Sequence, residues 1–312
     1  MCIRDRVGQC GGVVTGYEYV KVRNPDGSFK EPHEQWLGLP DDWFSMLNGT
    51  LGGSTRDEHN YFSNYQDGII FSDDDQHVDF MNQVILNTYG PGVAYEDIKY
   101  SWIHYDLKDF GATADALHIM KEKDLIAPQM GQREHGNNGH WLPEGYIHHE
   151  TRGCACPGRP CAAARMARKF SRMSNEGEAV EWGMYWAAAT SIAYFETDIR
   201  EVLVDALDVL PGNSYVRETY DICLQLHAKY PDDWRAAVRE FWNSHARYVY
   251  AVGTEKLHLI ANVNNANCIL SALYGENDYM ETLRIQSLSG GDAECGASTL
   301  CGILGVIHGM DG

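Results

Sequence analysis

Two adjacent glycines, Gly290 and Gly291, stand directly before two acids spaced two residues apart, Asp292 and Glu294, and a small-residue run to Gly309. Paired glycines permit a turn that side chains would forbid. On a regular helix, residues two apart point to nearly opposite sides. Asp292 and Glu294 can therefore converge only if at least one lies in the turn or cap ahead of the helix. Gly302, Gly305 and Gly309 then recur at intervals that let another backbone come close. The plain reading is an Asp N-cap with a stabilising acid in the first turn. The chemical reading is half of a metal site, and that needs a second acidic cluster.

Such a cluster exists at Ser72-Asp73-Asp74-Asp75-Gln76, ahead of the apolar-periodic Val78, Met81, Val84 and Ile85. Three adjacent carboxylates repel one another and resist desolvation unless a cation sits among them. Oxygen-only ligands at a helix start suit Mg²⁺, Ca²⁺ or Mn²⁺ rather than zinc. A solvated acidic helix start is the alternative when this run is taken alone. Paired with Asp292 and Glu294, the metal reading is the better one.

From Gln76 onward helical periodicity dominates. It predicts helices near 76–88, 95–107, 112–123, 160–173, 178–196, 198–209, 213–229, 232–246, 262–274, 278–288 and 295–308. In 178–196, Val180, Met184, Ala187, Ala188, Ser191, Ile192 and Phe195 form the expected apolar stripe. Alternating strand patterns are nearly absent, so the expected fold class is all-α. Residues 22–75 are rich in Gly, Pro, Asn, Asp and aromatics and read as long loops with short helices, a length usually tied to function. Gly8, Gly12 and Gly16, four apart, fit a close-packed helix better than a phosphate loop, because no Lys-Ser/Thr follows.

The 312 residues are 44% hydrophobic and carry a formal net charge of −19, which disfavours a nucleic-acid partner. No run reaches the length of a membrane span, and no signal-peptide pattern is visible. Nine dispersed cysteines, an odd number, read as reduced thiols in a cytoplasmic setting. Met1-Cys2-Ile3-Arg4-Asp5-Arg6 looks like translated transposon-end sequence left by library preparation. The expectation is therefore a single domain over 7–312, shortened at its N-terminus.

His148, His149, Cys154, Cys156 and Cys161 cluster, but Cys-x-Cys-x₄-Cys lacks the paired spacing of a zinc site. A loop shaped by Pro157-Gly158 and Pro160, entering a helix, is the expected state. Ser174 or Asn175 is expected to cap the helix after it, with Glu176 and Glu178 in the first turn. His258 and the pair Asn264-Asn265 fall on segments of mixed polarity. No Ser-His-Asp order or Gly-x-Ser-x-Gly elbow points to acyl transfer.

These motifs together resemble a family. Gly290-Gly291-Asp292-Ala293-Glu294-Cys295-Gly296-Ala297 through Gly305 resembles the C-terminal Asp-x-Asp signature of the ADP-ribosylglycohydrolases. Ser72-Asp73-Asp74-Asp75-Gln76 is similar to their Thr-Asp-Asp-Thr motif. Pro157-Gly158-Arg159-Pro160, Gly177-Glu178-Ala179-Val180 through Met184, and Leu273-Tyr274-Gly275-Glu276-Asn277-Asp278-Tyr279 resemble further stretches in the same order. The resemblance implies a single orthogonal helical bundle with two Mg²⁺ ions, Mn²⁺ being a possible substitute. It implies hydrolysis of an N- or O-glycosidic bond in a small-molecule or protein-linked ADP-ribosyl substrate, with neither nucleic acid nor membrane as partner. Its metal ligands carry over onto Ser72, Asp73, Asp74, Asp75, Asp292 and Glu294, the first motif sliding by one residue. General-base duty is expected of Asp74 or Glu294. This chain departs from the pattern at Glu294 for the second Asp, at Cys295 for a Thr, and at Asn175 for a His. Gly12 stands where an N-terminal Asp is expected. Those departures leave two rivals: a hydrolase of simpler nucleosides or glycosides, and a catalytically silent binding member.

Overall fold

The computed structural model describes residues 65–66, 69–70, 74–104, 111–247 and 261–309, with side chains for all of these except 65–66, 69–70, 74–77 and 294. Among the described residues the fold is helical, apart from an antiparallel ladder pairing Tyr65–Gln66 with Ile69–Ile70. The helices are α1 (Asp74–Tyr89), α2 (Tyr95–His104), α3 (Gly111–Lys123), α4 (Glu150–Cys154), α5 (Pro160–Ser171) and α6 (Glu178–Ile192). They continue with α7 (Ile199–Asp205), α8 (Tyr215–Lys229), α9 (Trp234–Ser244), α10 (Ala261–Gly275), α11 (Tyr279–Leu288) and α12 (Ala293–His308). No helix among the described residues is long and apolar enough to cross a membrane. The expected all-α class holds. The glycine-spaced stretch at 8–16, nearly all of the loop region 22–75, and His258 lie outside the described residues.

The chain divides into two compact units, one of residues 72–194 and 205–216, the other of 1–71, 195–204 and 217–312. The first is built on α6. Trp182, Tyr185 and Trp186 are fully buried, and Tyr185 meets Trp186 edge-on with centroids 4.8 Å apart. Aromatic pairs favour such tilted geometry over face-to-face stacking. Small residues let neighbours close in. Gly153 of α4 packs on Thr190 and on the Ala187 carbonyl, and Gly183 lies against the Gly145 carbonyl and Ser171 Oγ. Ser171 in turn donates to that same carbonyl. Helix α6 is therefore buried nearly all round, not along one stripe. It also ends at Ile192, four residues short of expectation, which puts Phe195 off the helix and 77% exposed.

The turn before α5 forms as its sequence suggests. Gly158 takes φ +64°, Pro160 opens the helix, and Ser191 of α6 accepts from the Arg159 amide at 3.0 Å. The expected cap of α6 does not form. Gly177 is the N-cap and supplies no side-chain bond. Ser174 instead donates to Asn175 Oδ1 at 2.6 Å, and Asn175 Nδ2 donates to the carbonyls of His140 and Leu142. The buried Asn175 amide thus satisfies loop carbonyls and does not cap a helix that begins three positions further on, at Glu178.

In the second unit, α10 connects to α11 through a tight turn. Glu276 and Asn277 both take positive φ, and Asp278 caps α11 by accepting from the Glu281 amide at 2.7 Å. Asn277 also accepts from the Ile199 amide at 2.7 Å, fixing the entry to α7.

Gly183→Ala is expected to lower unfolding stability by about 1–3 kcal/mol, because its added methyl meets a backbone carbonyl that cannot swing away. Chemical denaturation should show a clear midpoint drop. Gly212→Ala is the control: a methyl there meets nothing within 4 Å, and its midpoint should barely move.

Candidate functional site

The turn ahead of α12 is built by asparagines one helix away. Gly290 and Gly291 both take left-handed φ, +74° and +76°, a conformation open to glycine at no steric cost. That brings the Asp292 amide onto Asn264 Oδ1 at 2.8 Å. Asn267 Nδ2 donates to the carbonyls of Ser289 and Gly290 at 3.3 and 3.2 Å. Its own carbonyl oxygen accepts from Trp242 Nε1 at 3.2 Å, which fixes the orientation of the amide. Asn264 and Asn267 are buried, as is Asp292 at 6% exposure.

Asp292 is the N-cap residue of α12, with φ −87° and ψ 63°, so it lies outside the regular helix as convergence with Glu294 requires. Its carbonyl accepts from the Gly296 amide at 3.2 Å, while its side chain makes no cap hydrogen bond. The plain reading of Asp292 as a side-chain cap is thereby corrected. Its carboxylate instead faces the interior: burial, and next the Asp292 charge, push the Cys268 thiol well above its usual range. Cys268 is thus a neutral thiol at neutral pH, and no soft thiolate there competes for a hard cation. Gly296 gives α12 room against Gln286 and Cys268 Sγ, the latter 2.9 Å from where a methyl would stand.

The other residues singled out from sequence are placed less fully. Asp74 and Asp75 open α1, and Glu294 is the second residue of α12. Ser72 and Asp73 lie outside the described residues, and the side chains of Asp74, Asp75 and Glu294 lie outside the described atoms. Among the described residues, no three His, Cys, Asp or Glu side chains gather as metal ligands. That includes the histidine–cysteine stretch. His148 and His149 are buried and Cys161 is exposed. A carboxylate oxygen such as that of Asp292 is a donor suited to a hard divalent ion, and a protonated Cys268 thiol does not compete for one.

Sequence reasoning singled out Asn264 and Asn265 but gave the asparagine run no part in the site. Asn262, Asn264, Asn265 and Asn267 are all at or below 3% exposure on α10. Four asparagines in six residues of a helix were the available signal, since a buried amide must find partners.

Compared with known families, the chain matches the family model described as ADP-ribosylglycohydrolase over residues 8–312. No curated protein matches it.

Asn264→Ala is expected to strand the buried Asp292 amide and cost about 1–3 kcal/mol of unfolding free energy. Urea denaturation at neutral pH measures it. A variant as stable as the parent would show that the turn does not depend on this bond.

Proposed function

The chain belongs to the ADP-ribosylglycohydrolase family, and on that premise we propose that it is a metal-dependent hydrolase of ADP-ribosyl compounds. The bond cleaved is the N- or O-glycosidic bond at C1 of the ribose, in a small molecule or on a protein. The observation that carries this reading is Asp292, its backbone fixed by Asn264 and its carboxylate kept out of capping duty.

In this reading Asp292 and Glu294, with Ser72, Asp73, Asp74 and Asp75, hold two Mg²⁺ ions, and Mn²⁺ can replace them. When bound, such ions supply charge that binds ribose hydroxyls and acidifies a water. The carboxylate of Asp74 or Glu294 takes the proton of the water that attacks the anomeric carbon. The acids left ionised around the ribose stabilise its oxocarbenium character as the bond to the leaving group breaks. The asparagines of α10 keep Asp292 in place while this charge develops, so that little reorganisation accompanies the step.

Asp292→Ala should abolish the calorimetric heat of Mg²⁺ binding while the far-ultraviolet helix signal is unchanged. Release of ADP-ribose from a modified substrate should fall by about 100-fold or more. Undiminished metal binding would remove Asp292 from the ligand set. Displacement of a bound probe by simple nucleosides, but not by millimolar ADP-ribose, would move the substrate class to simpler ribosides.

A further inference from the structure

The first unit contains a second polar site, separate from Asp292 and independent of the function proposed above. A cavity of about 20 Å³ is lined by Asn82, Trp102, Glu144, His148, His149 and Arg152, with apolar walls from Val78 and Phe170. Holding one water takes about 10–15 Å³ on this measure. Asn82, from α1, is 1% exposed, and neither its amide nitrogen nor its oxygen meets a hydrogen-bond partner in the protein. The same holds for both ring nitrogens of His148, for Trp102 Nε1, for His149 Nε2 and for Arg152 Nε. Polar groups buried this deeply are nearly always satisfied.

The distances say how. His149 Nδ1 lies 2.9 Å from the Tyr146 carbonyl, which can only accept, so Nδ1 carries the proton. Burial lowers the His149 pKa to about 3, so the ring is neutral and Nε2 is an acceptor. Glu150 Oε1 stands 3.7 Å from that Nε2. Two acceptors cannot bond each other, so His149 Nε2 needs a donor from elsewhere. His148 Nδ1 and Asp79 Oδ1 are likewise 3.9 Å apart, too long for a direct bond. Burial pushes His148 well below its usual range too, so the charge balance is not restored by imidazolium. Donor hydrogens on Trp102, Arg152 and Asn82 stand alongside the acceptors. A bare cation would face those donors, and an anion would face Glu144.

We propose that this cavity is a built binding site for a neutral, water-sized molecule that both donates and accepts hydrogen bonds, a water under ordinary conditions, held by Asn82, His148 and His149. Through it α1 is tied to the 143–152 segment. The guest supplies hydrogen bonds that no pair of these side chains makes directly.

A crystal structure at high resolution gives the first test. A single oxygen-sized peak within 3.2 Å of at least two of Asn82, His148 and His149 is expected, 3.2 Å being about the limit for such bonds. Direct contacts among those side chains, with no density, would overturn the assignment. In solution, oxygen-17 relaxation dispersion should count one long-lived internal water fewer in Asn82→Leu than in the parent, and an unchanged count would contradict the site. Should that variant fail to fold, nitrogen-15 spectra of the parent decide: His149 should stay neutral, protonated on Nδ1, from pH 8 to pH 5. A titrating His149 overturns the neutral site. So does a thermal midpoint raised by ammonium chloride but not by sodium chloride, since that would assign the cavity to a small cation.

Discussion

The bond from the Asp292 amide to Asn264 Oδ1 is the constraint on which the C-terminal half of the second unit depends. Two consecutive left-handed glycines leave a turn with little intrinsic preference for one shape. Asn264 and Asn267 select the shape by satisfying the amide and carbonyls that the turn exposes, and Trp242 holds Asn267 in the orientation that does so. The consequence is local and chemical. An aspartate at a helix start ordinarily spends its side chain on the helix; here the helix begins without it. A carboxylate that is 6% exposed and not occupied in capping leaves its charge to be felt by its surroundings, and the Cys268 thiol registers it.

The first unit solves a different problem with similar means. Its central helix is aromatic and small by turns, so neighbours approach it to backbone contact at Gly153 and Gly183. Close approach leaves little space for water, yet Asp79, Glu144, Glu150 and Arg152 are all buried there. Burial of charge is tolerated where it is paired and hydrogen-bonded. Glu144 accepts from the Ala112 amide at 2.8 Å, and the Arg152 guanidinium lies over the Phe170 ring at 4.6 Å. The same burial that makes these charges costly keeps His148 and His149 neutral.

Much of the fold was legible because helices of ten residues or more print a period that a single sequence displays. Helix α4, five residues long, is too short to show one, and it was missed. Phe195 was placed in a stripe because the pattern runs on past Ile192, where the backbone does not. The turn at Gly290-Gly291 was legible because only glycine adopts that geometry freely. The asparagines that hold it were not, since their partners lie more than twenty residues away and a side-chain-to-backbone bond leaves no periodic mark. Asn175 shows the same blindness: it ties down a loop over thirty residues earlier, where local rules read a cap. Of the six residues assigned to metal, Asp292 has a described side chain.

Anomalous diffraction at the manganese edge, from crystals grown with Mn²⁺, tests the central claim most directly. The account predicts manganese bonded to an oxygen of Asp292, with carboxylates from the start of α1 or from Glu294 completing the site. Manganese bound only elsewhere, with Asp292 bare at saturating metal, would contradict it.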